Sequence, residues 1–317
     1  MKILMMAIND PAGTAIEFTK AINKYTEHSC RLITKEIRYN FMFEKDLHLP
    51  WLDARGWEEV DLLLRSSDVF HFHMTADEDI ELGTFRPADY MKGKVIVHHH
   101  HGHPDFRDNP DKYRRKYQEK KRQNLLVSTP DLLKLLPEAR WQPNLVPIND
   151  LPYLPMSVPA NGKIGVCQSP TRKNLKNTDD FCAVVRRLQT RYDGLEMVRI
   201  ENTPHMDCLR IKQSCDIHFD HMQGYFGVSS LESLSQGKPV IAGLDEWNQT
   251  QIRDLTGCSV LPWVIARNIE DLEKQLEKLV AGPDLRVHIG SRSREFMQAY
   301  WDDKSMAFRL VDFYLAI

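Results

Sequence analysis

The chain has 317 residues, 42% of them apolar, which suffices for the cores of about two domains and excludes a disulfide knot or a disordered tail. Forty-two Lys and Arg against 44 Asp and Glu leave a net charge of −2, so the surface as a whole is not built for nucleic acid and any bound anion needs a local site. No apolar run approaches the roughly 20 residues that cross a bilayer.

The elements follow a repeating order. Residues 2–8 read as a buried strand, closed by Asn9-Asp10-Pro11-Ala12-Gly13-Thr14 and followed by a helix over 15–23. Strands are predicted at 30–34, 68–73, 94–97 and 124–128, with helices at 57–65 and 110–122. Five prolines between Trp141 and Gly162 interrupt any periodicity, and a linker is predicted there. The alternation then restarts, with strands at 163–167, 196–201, 216–220 and 239–242 and helices at 179–192, 204–214 and 227–236. Helices at 271–280, 284–296 and 304–314 close the chain. Short buried strands alternating with helices predict an α/β fold with parallel sheets covered on both faces.

The opening residues are too short an apolar run for a signal peptide, so a soluble, cytoplasmic protein without a transmembrane segment is expected, with peripheral membrane contact left open. The six cysteines (Cys30, Cys167, Cys182, Cys208, Cys215 and Cys258) show no CxxC spacing and are expected to be reduced.

Ligands of open parallel sheets bind beyond the carboxyl ends of the strands. Four segments fall there. Gly224-Tyr225-Phe226-Gly227-Val228-Ser229 precedes a helix whose first turn offers amides and a positive dipole end to phosphate, with Glu232 further in to accept from a ribose diol. The loop after Cys167 carries Arg172, Lys173 and Lys176, three cations in five residues that suit a diphosphate. His98-His99-His100-His101-Gly102-His103, followed by Arg107, supplies imidazoles for acid–base work or anion binding. His71 and His73, two residues apart on a strand, make zinc conceivable; no HExxH helix or cysteine pair accompanies them, and the expectation is no metal and no cofactor. The opening loop with Gly13 is expected as a cleft wall, since neither GxGxxG nor GxxxxGK[ST] occurs. The basic stretch 107–122 is expected to be an ordinary solvated helix face.

Taken in order, these segments resemble the GT-B glycosyltransferases of the large group 1 family. The resemblance rests on Pro204-His205-Met206, Asp216-Ile217-His218-Phe219-Asp220, Gly224-Tyr225-Phe226-Gly227 and Leu231-Glu232 through Gly237-Lys238-Pro239-Val240, with weaker support from Val127-Ser128-Thr129-Pro130 and Trp141-Gln142-Pro143-Asn144. It implies two Rossmann-like domains facing across a cleft. The boundaries expected are 1–155 for the acceptor-side domain, 156–300 for the nucleotide-sugar domain, and a helix over 301–317 that packs back on the first.

Carried over by position, Glu232 would hold the donor ribose, Arg172 and Lys176 the diphosphate, and the amides around Gly227 to Ser229 the phosphate or sugar, with Lys173 also on the donor side. Gly13, Gly224, Phe226, Gly227, Val228 and Ser229 would complete the donor site, His101 would stand in the catalytic region beside Arg172 and Lys176, and His103 and Arg107 would face the acceptor. The sequence departs from the family at Gly224, eight residues before Glu232, where a glutamate is usual.

The function implied is metal-independent, retaining transfer of a sugar from a UDP- or GDP-sugar to an acceptor, whether saccharide, lipid-linked, protein or nucleic acid. The alternatives are another GT-B activity such as a nucleotide-sugar epimerase or phosphorylase, a catalytically degenerate nucleotide-sugar-binding subunit, and a His-liganded zinc hydrolase.

Overall fold

The computed structural model describes residues 1–38, 42–156 and 162–317. The chain divides into two compact units, Met1–Leu145 with Asp303–Ile317, and Val146–Asp302. Residues 157–161 of the expected linker lie outside the described residues.

The first unit contains β1 (Lys2–Ala7), α1 (Thr14–Tyr25), β2 (Ser29–Thr34), β3 (Leu47–His48), α2 (Ala54–Ser66), β4 (Val69–His73), β5 (Val95–His100), α3 (Pro104–Asp108), α4 (Pro110–Glu119), β6 (Leu125–Val127) and β7 (Arg140–Trp141). Its seven strands are parallel in the order β3-β2-β1-β4-β5-β6-β7. The chain starts in the middle of the sheet and winds outward both ways, the doubly wound arrangement whose ligand crevice opens where the order reverses. β1 and β6 are nearly continuous apolar runs because helices cover both sides, and β4 is buried along its whole length although it carries His71 and His73.

The second unit contains β8 (Ile164–Gln168), α5 (Thr178–Gln189), β9 (Leu195–Arg199), α6 (His205–Ser214), β10 (Ile217–Phe219), α7 (Val228–Ser235), β11 (Val240–Ala242), α8 (Glu246–Thr256), β12 (Val264–Ile265), α9 (Ile269–Ala281) and α10 (Pro283–Tyr300). Its sheet is parallel in the order β12-β11-β10-β8-β9. Val166, Phe181, Val185, Ile217, Phe219 and Leu276 lie in its core. The chain ends with α11 (Asp303–Leu315), which belongs to the first unit, packs on α1 and buries Met306, Leu310 and Tyr314.

The proline-rich stretch differs from the expected linker. Residues 146–156 belong to the second unit, because side chains of that unit bind their backbone carbonyls. Gln213 donates to the carbonyls of Leu151 and Leu154 at 3.0 and 2.9 Å, Gln236 to that of Pro152 at 2.7 Å, and Arg294 to that of Ile148 at 2.8 Å. Prolines leave a chain with few backbone donors of its own, and its carbonyls are then satisfied by the amides and guanidinium packed against it.

Candidate functional site

The carboxyl ends of β8 and β10 set out the site in the second unit. β10 ends at Phe219, so the buried Asp220 follows it directly. One carboxylate oxygen of Asp220 accepts from the Gly227 amide at 2.7 Å and from Ser230 Oγ at 2.8 Å, and the other accepts from Lys176 Nζ at 2.8 Å. Asp220 thus joins the basic loop to the start of α7. Burial alone would raise its pKa, but the His221 and Lys176 charges beside it outweigh that and hold it far below the ordinary carboxylate range.

Lys176 Nζ packs close to Gly227, 3.1 Å from where a Cβ on that residue would be. The ammonium therefore sits against the first turn of α7, where an α-helix has amides without intrahelical acceptors. Gln168, at the end of β8, donates to the carbonyls of Lys176 and Asp220 at 2.6 and 3.2 Å and fixes the loop from below. Arg172 and Lys173 are exposed on that loop, and Lys173 pairs with Glu201 at 2.8 Å.

Glu232 lies one turn deeper in α7 and is buried. Its Oε1 accepts from His205 Nε2 at 2.7 Å and its Oε2 from Lys212 Nζ at 2.5 Å. Burial pushes the Glu232 carboxyl up, and Lys212 followed by His205 brings it down to about 2. Lys212, 1% exposed, also donates to Ser229 Oγ at 2.5 Å, and that hydroxyl reaches Ser169 Oγ at 2.8 Å. Attraction to Glu232 overcomes the desolvation of the ammonium and keeps Lys212 protonated.

His205 and Lys212 are seven residues apart and so share one face of α6. That spacing was the available signal for both, and the sequence reading did not use it. Asp220, although within a segment it had singled out, received no role there.

The structure thus brings together Lys176, Gly227, Ser229 and Glu232, with Val228 half-buried among them. Phe226 requires a correction. Its ring is 2% exposed and packs on Trp263 and Trp301 at centroid distances of 5.2 and 5.8 Å, leaving only its backbone for a ligand. Gly224 has φ +89°, a conformation that strains any other residue, and its carbonyl accepts from the Asp245 amide at 2.8 Å.

The remaining sequence candidates belong to the first unit. Gly13 has φ +65°, and the Phe43 ring occupies the place of its absent Cβ, 1.9 Å from where that atom would be. The Ile16 amide in the first turn of α1 donates to Asp10 at 3.0 Å, so the opening loop brings its own carboxylate to that helix end. His103 caps α3 by accepting from the Asp105 amide at 3.2 Å, and Arg107 donates to Asp131 at 2.6 Å and to the Gly102 carbonyl at 3.2 Å. His103 is thus held within its own loop and Arg107 is pinned between that loop and the 130–134 segment. Several cations of the basic stretch are paired, Lys116 with Asp77, Lys120 with Asp79 and Arg122 with Glu78, while Arg115 and Lys121 are exposed.

His101 has both ring nitrogens engaged, Nδ1 with Asn144 Oδ1 at 3.2 Å and Nε2 with His73 Nδ1 at 2.9 Å, and burial lowers its pKa to about 4. It is neutral at pH 7 and must release one of these partners before it can take a proton from a substrate.

No protein-family model and no curated protein matches the chain. Solved structures do. The Anabaena HepE protein in complex with UDP matches over 100% of both chains with a TM-score of 0.68 and 10% identity. Sucrose-phosphate synthase from Thermosynechococcus elongatus matches over 100% of this chain and 99% of that one, with a TM-score of 0.62 and 12% identity. UDP-GlcNAc 2-epimerase from Neisseria meningitidis bound to UDP-GlcNAc matches over 100% of both, with a TM-score of 0.55 and 12% identity. The fold is therefore GT-B, two Rossmann-like α/β units in one chain.

Proposed function

We propose that the protein is a glycosyltransferase that moves a sugar from a nucleoside diphosphate-sugar to an acceptor. The observation that carries this reading is the junction of Lys176, Asp220 and the first turn of α7, with an ionised Glu232 one turn deeper. The leaving group of such a transfer is a nucleoside diphosphate, whose growing negative charge must be met in the transition state. Lys176, Arg172 and the amides of the first turn supply the opposing positive charge without a metal at the transfer step. Glu232 serves the ribose: each carboxylate oxygen offers two lone pairs, and His205 and Lys212 use one on each oxygen, which leaves acceptors for two hydroxyls.

The fold supports the reading, and the matched proteins solved with UDP and UDP-GlcNAc favour a uridine nucleotide over GDP. Retention of configuration rests on the family resemblance alone.

A second reading, a nucleotide-sugar-binding subunit without turnover, is favoured by Gly224. The position where the resembled family carries a sugar-contacting glutamate here has a left-handed φ of +89°, so the backbone has moved to a conformation suited to glycine. Against the zinc hydrolase, His71, His73 and His99 are 0–2% exposed and offer no substrate a place.

Isothermal titration with UDP and GDP, paired with a hydrolysis assay on UDP- and GDP-sugars, tests the first reading. Binding together with release of the diphosphate supports transfer, binding without turnover under any acceptor supports the subunit, and no binding of either nucleotide overturns both.

A further inference from the structure

The two histidine-bearing strands of the first unit come together on one face of its sheet. Residues alternate sides along a strand, so His71 and His73 of β4 point the same way, and the β4–β5 register sets His99 directly beside His73. Ligand nitrogens of His71, His73 and His99 all lie within 4.8 Å of one another, and the three residues are 0–2% exposed. The rings of His71 and His73 stack at 4.3 Å.

The hydrogen bonds around this group determine where its lone pairs are. Asn144 Oδ1 can only accept, so the neutral His101 carries its proton on Nδ1 and accepts at Nε2. His73 must then donate from Nδ1, which leaves its Nε2 as a bare lone pair pointing into the core with no donor. His71 spends Nδ1 on the Tyr314 hydroxyl at 2.5 Å, and its Nε2 is unpartnered. Neither nitrogen of His99 has a partner, so in either tautomer one of them is a buried lone pair. Burial holds all three rings well below the usual imidazole range, and they are neutral. Leaving buried polar atoms unpaired is unfavourable.

We propose that His71, His73 and His99 bind one imidazole-preferring metal ion, zinc or copper, as a structural site in the core of the first unit. Neutral buried imidazoles are the protonation state a metal requires. In His71 and His73 the second ring nitrogen is held by Tyr314 and His101 respectively, the arrangement that orients ligating histidines. Zinc–nitrogen bonds of about 2.0–2.1 Å place tetrahedral ligand nitrogens about 3.3 Å apart, so ring rotation has at most about 1.5 Å to close. The ion would tie β4 to β5 and, through Tyr314, to α11. This site is independent of the nucleotide reading above.

The test is elemental analysis of untagged protein purified without metal-affinity resin, then of chelator-treated protein reloaded with zinc or copper(I). About one equivalent of one of these metals is expected, with a higher melting temperature on reloading. His73→Gln and His99→Gln should each lose the metal, and His288→Gln, at an exposed position, should keep it. Should the two core variants fail to fold, cobalt(II) titration of the wild-type chain decides: a d–d spectrum without a thiolate charge-transfer band supports histidine ligation, and a thiolate band overturns it. Failure of the reloaded wild-type protein to retain either metal also overturns the site, as does full retention by a folded His99→Gln variant.

Discussion

Lys212 Nζ and Glu232 Oε2 are 2.5 Å apart, and both side chains are buried between α6 and α7. Removing one partner of such a pair strands a charge away from water, which costs about 3–5 kcal/mol, whereas replacing both by apolar groups of similar volume is often neutral. Lys212→Met should therefore lower the urea midpoint sharply, and Lys212→Met combined with Glu232→Leu should recover most of it. The double variant should still fail to bind a nucleoside diphosphate, because the ribose acceptor is gone. Stability that does not recover, or affinity that does, contradicts the assignment of Glu232.

Lys176 has a different dependence, since its partner Asp220 also caps α7. Lys176→Ala removes a cation and leaves the Asp220 carboxylate facing the incoming phosphates. A charge-assisted hydrogen bond contributes about 1.5–3 kcal/mol, so UDP affinity should fall about 10- to 100-fold by calorimetry. Arg172→Ala should fall less, because it uncovers no buried anion. Wild-type affinity in Lys176→Ala contradicts the diphosphate site.

Gly224→Glu restores the residue usual in the resembled family but must adopt φ near +89°. Holding a non-glycine residue there costs about 1–3 kcal/mol. The variant should melt earlier and release no more diphosphate than the wild type. A variant of unchanged stability with raised turnover would show that the backbone readily accepts the side chain.

Acid should destabilise the second unit in two stages. Burial, with Lys212 next, depresses the His218 pKa from 6.5 to about 3, so below about pH 6.5 the unfolded chain takes up a proton that the folded one refuses. That group costs about 1.4 kcal/mol per pH unit until pH 3. Glu232, depressed from 4.5 to about 2, and Asp220, also depressed, contribute stability that is complete above about pH 4.5 and lost as pH falls through their folded values. Denaturant midpoints of His218→Gln against wild type check the first stage: the variant should show a flatter fall between pH 6.5 and 4.5, and parallel curves contradict it.

Much of the architecture was legible because parallel strands covered on both faces are short apolar runs, as in β1 and β6. The two-residue strands β3, β7 and β12 were not, since a pair of residues shows no period. Helix α8 was missed because only Asn248 and Ile252 of it are buried; its Asp245 cap and the left-handed Gly257 at its end were the readable signs. The site was half legible. The phosphate loop and the glycine segment could be found from composition, but that Lys212 of α6 turns inward depends on Glu232 across the interface, a pairing that no local pattern encodes.

Diffraction from crystals soaked in UDP is the most direct measurement. The diphosphate should lie on the first turn of α7 within hydrogen-bonding distance of Lys176, with the ribose hydroxyls on Glu232. UDP bound away from Lys176 and Glu232 would contradict the account.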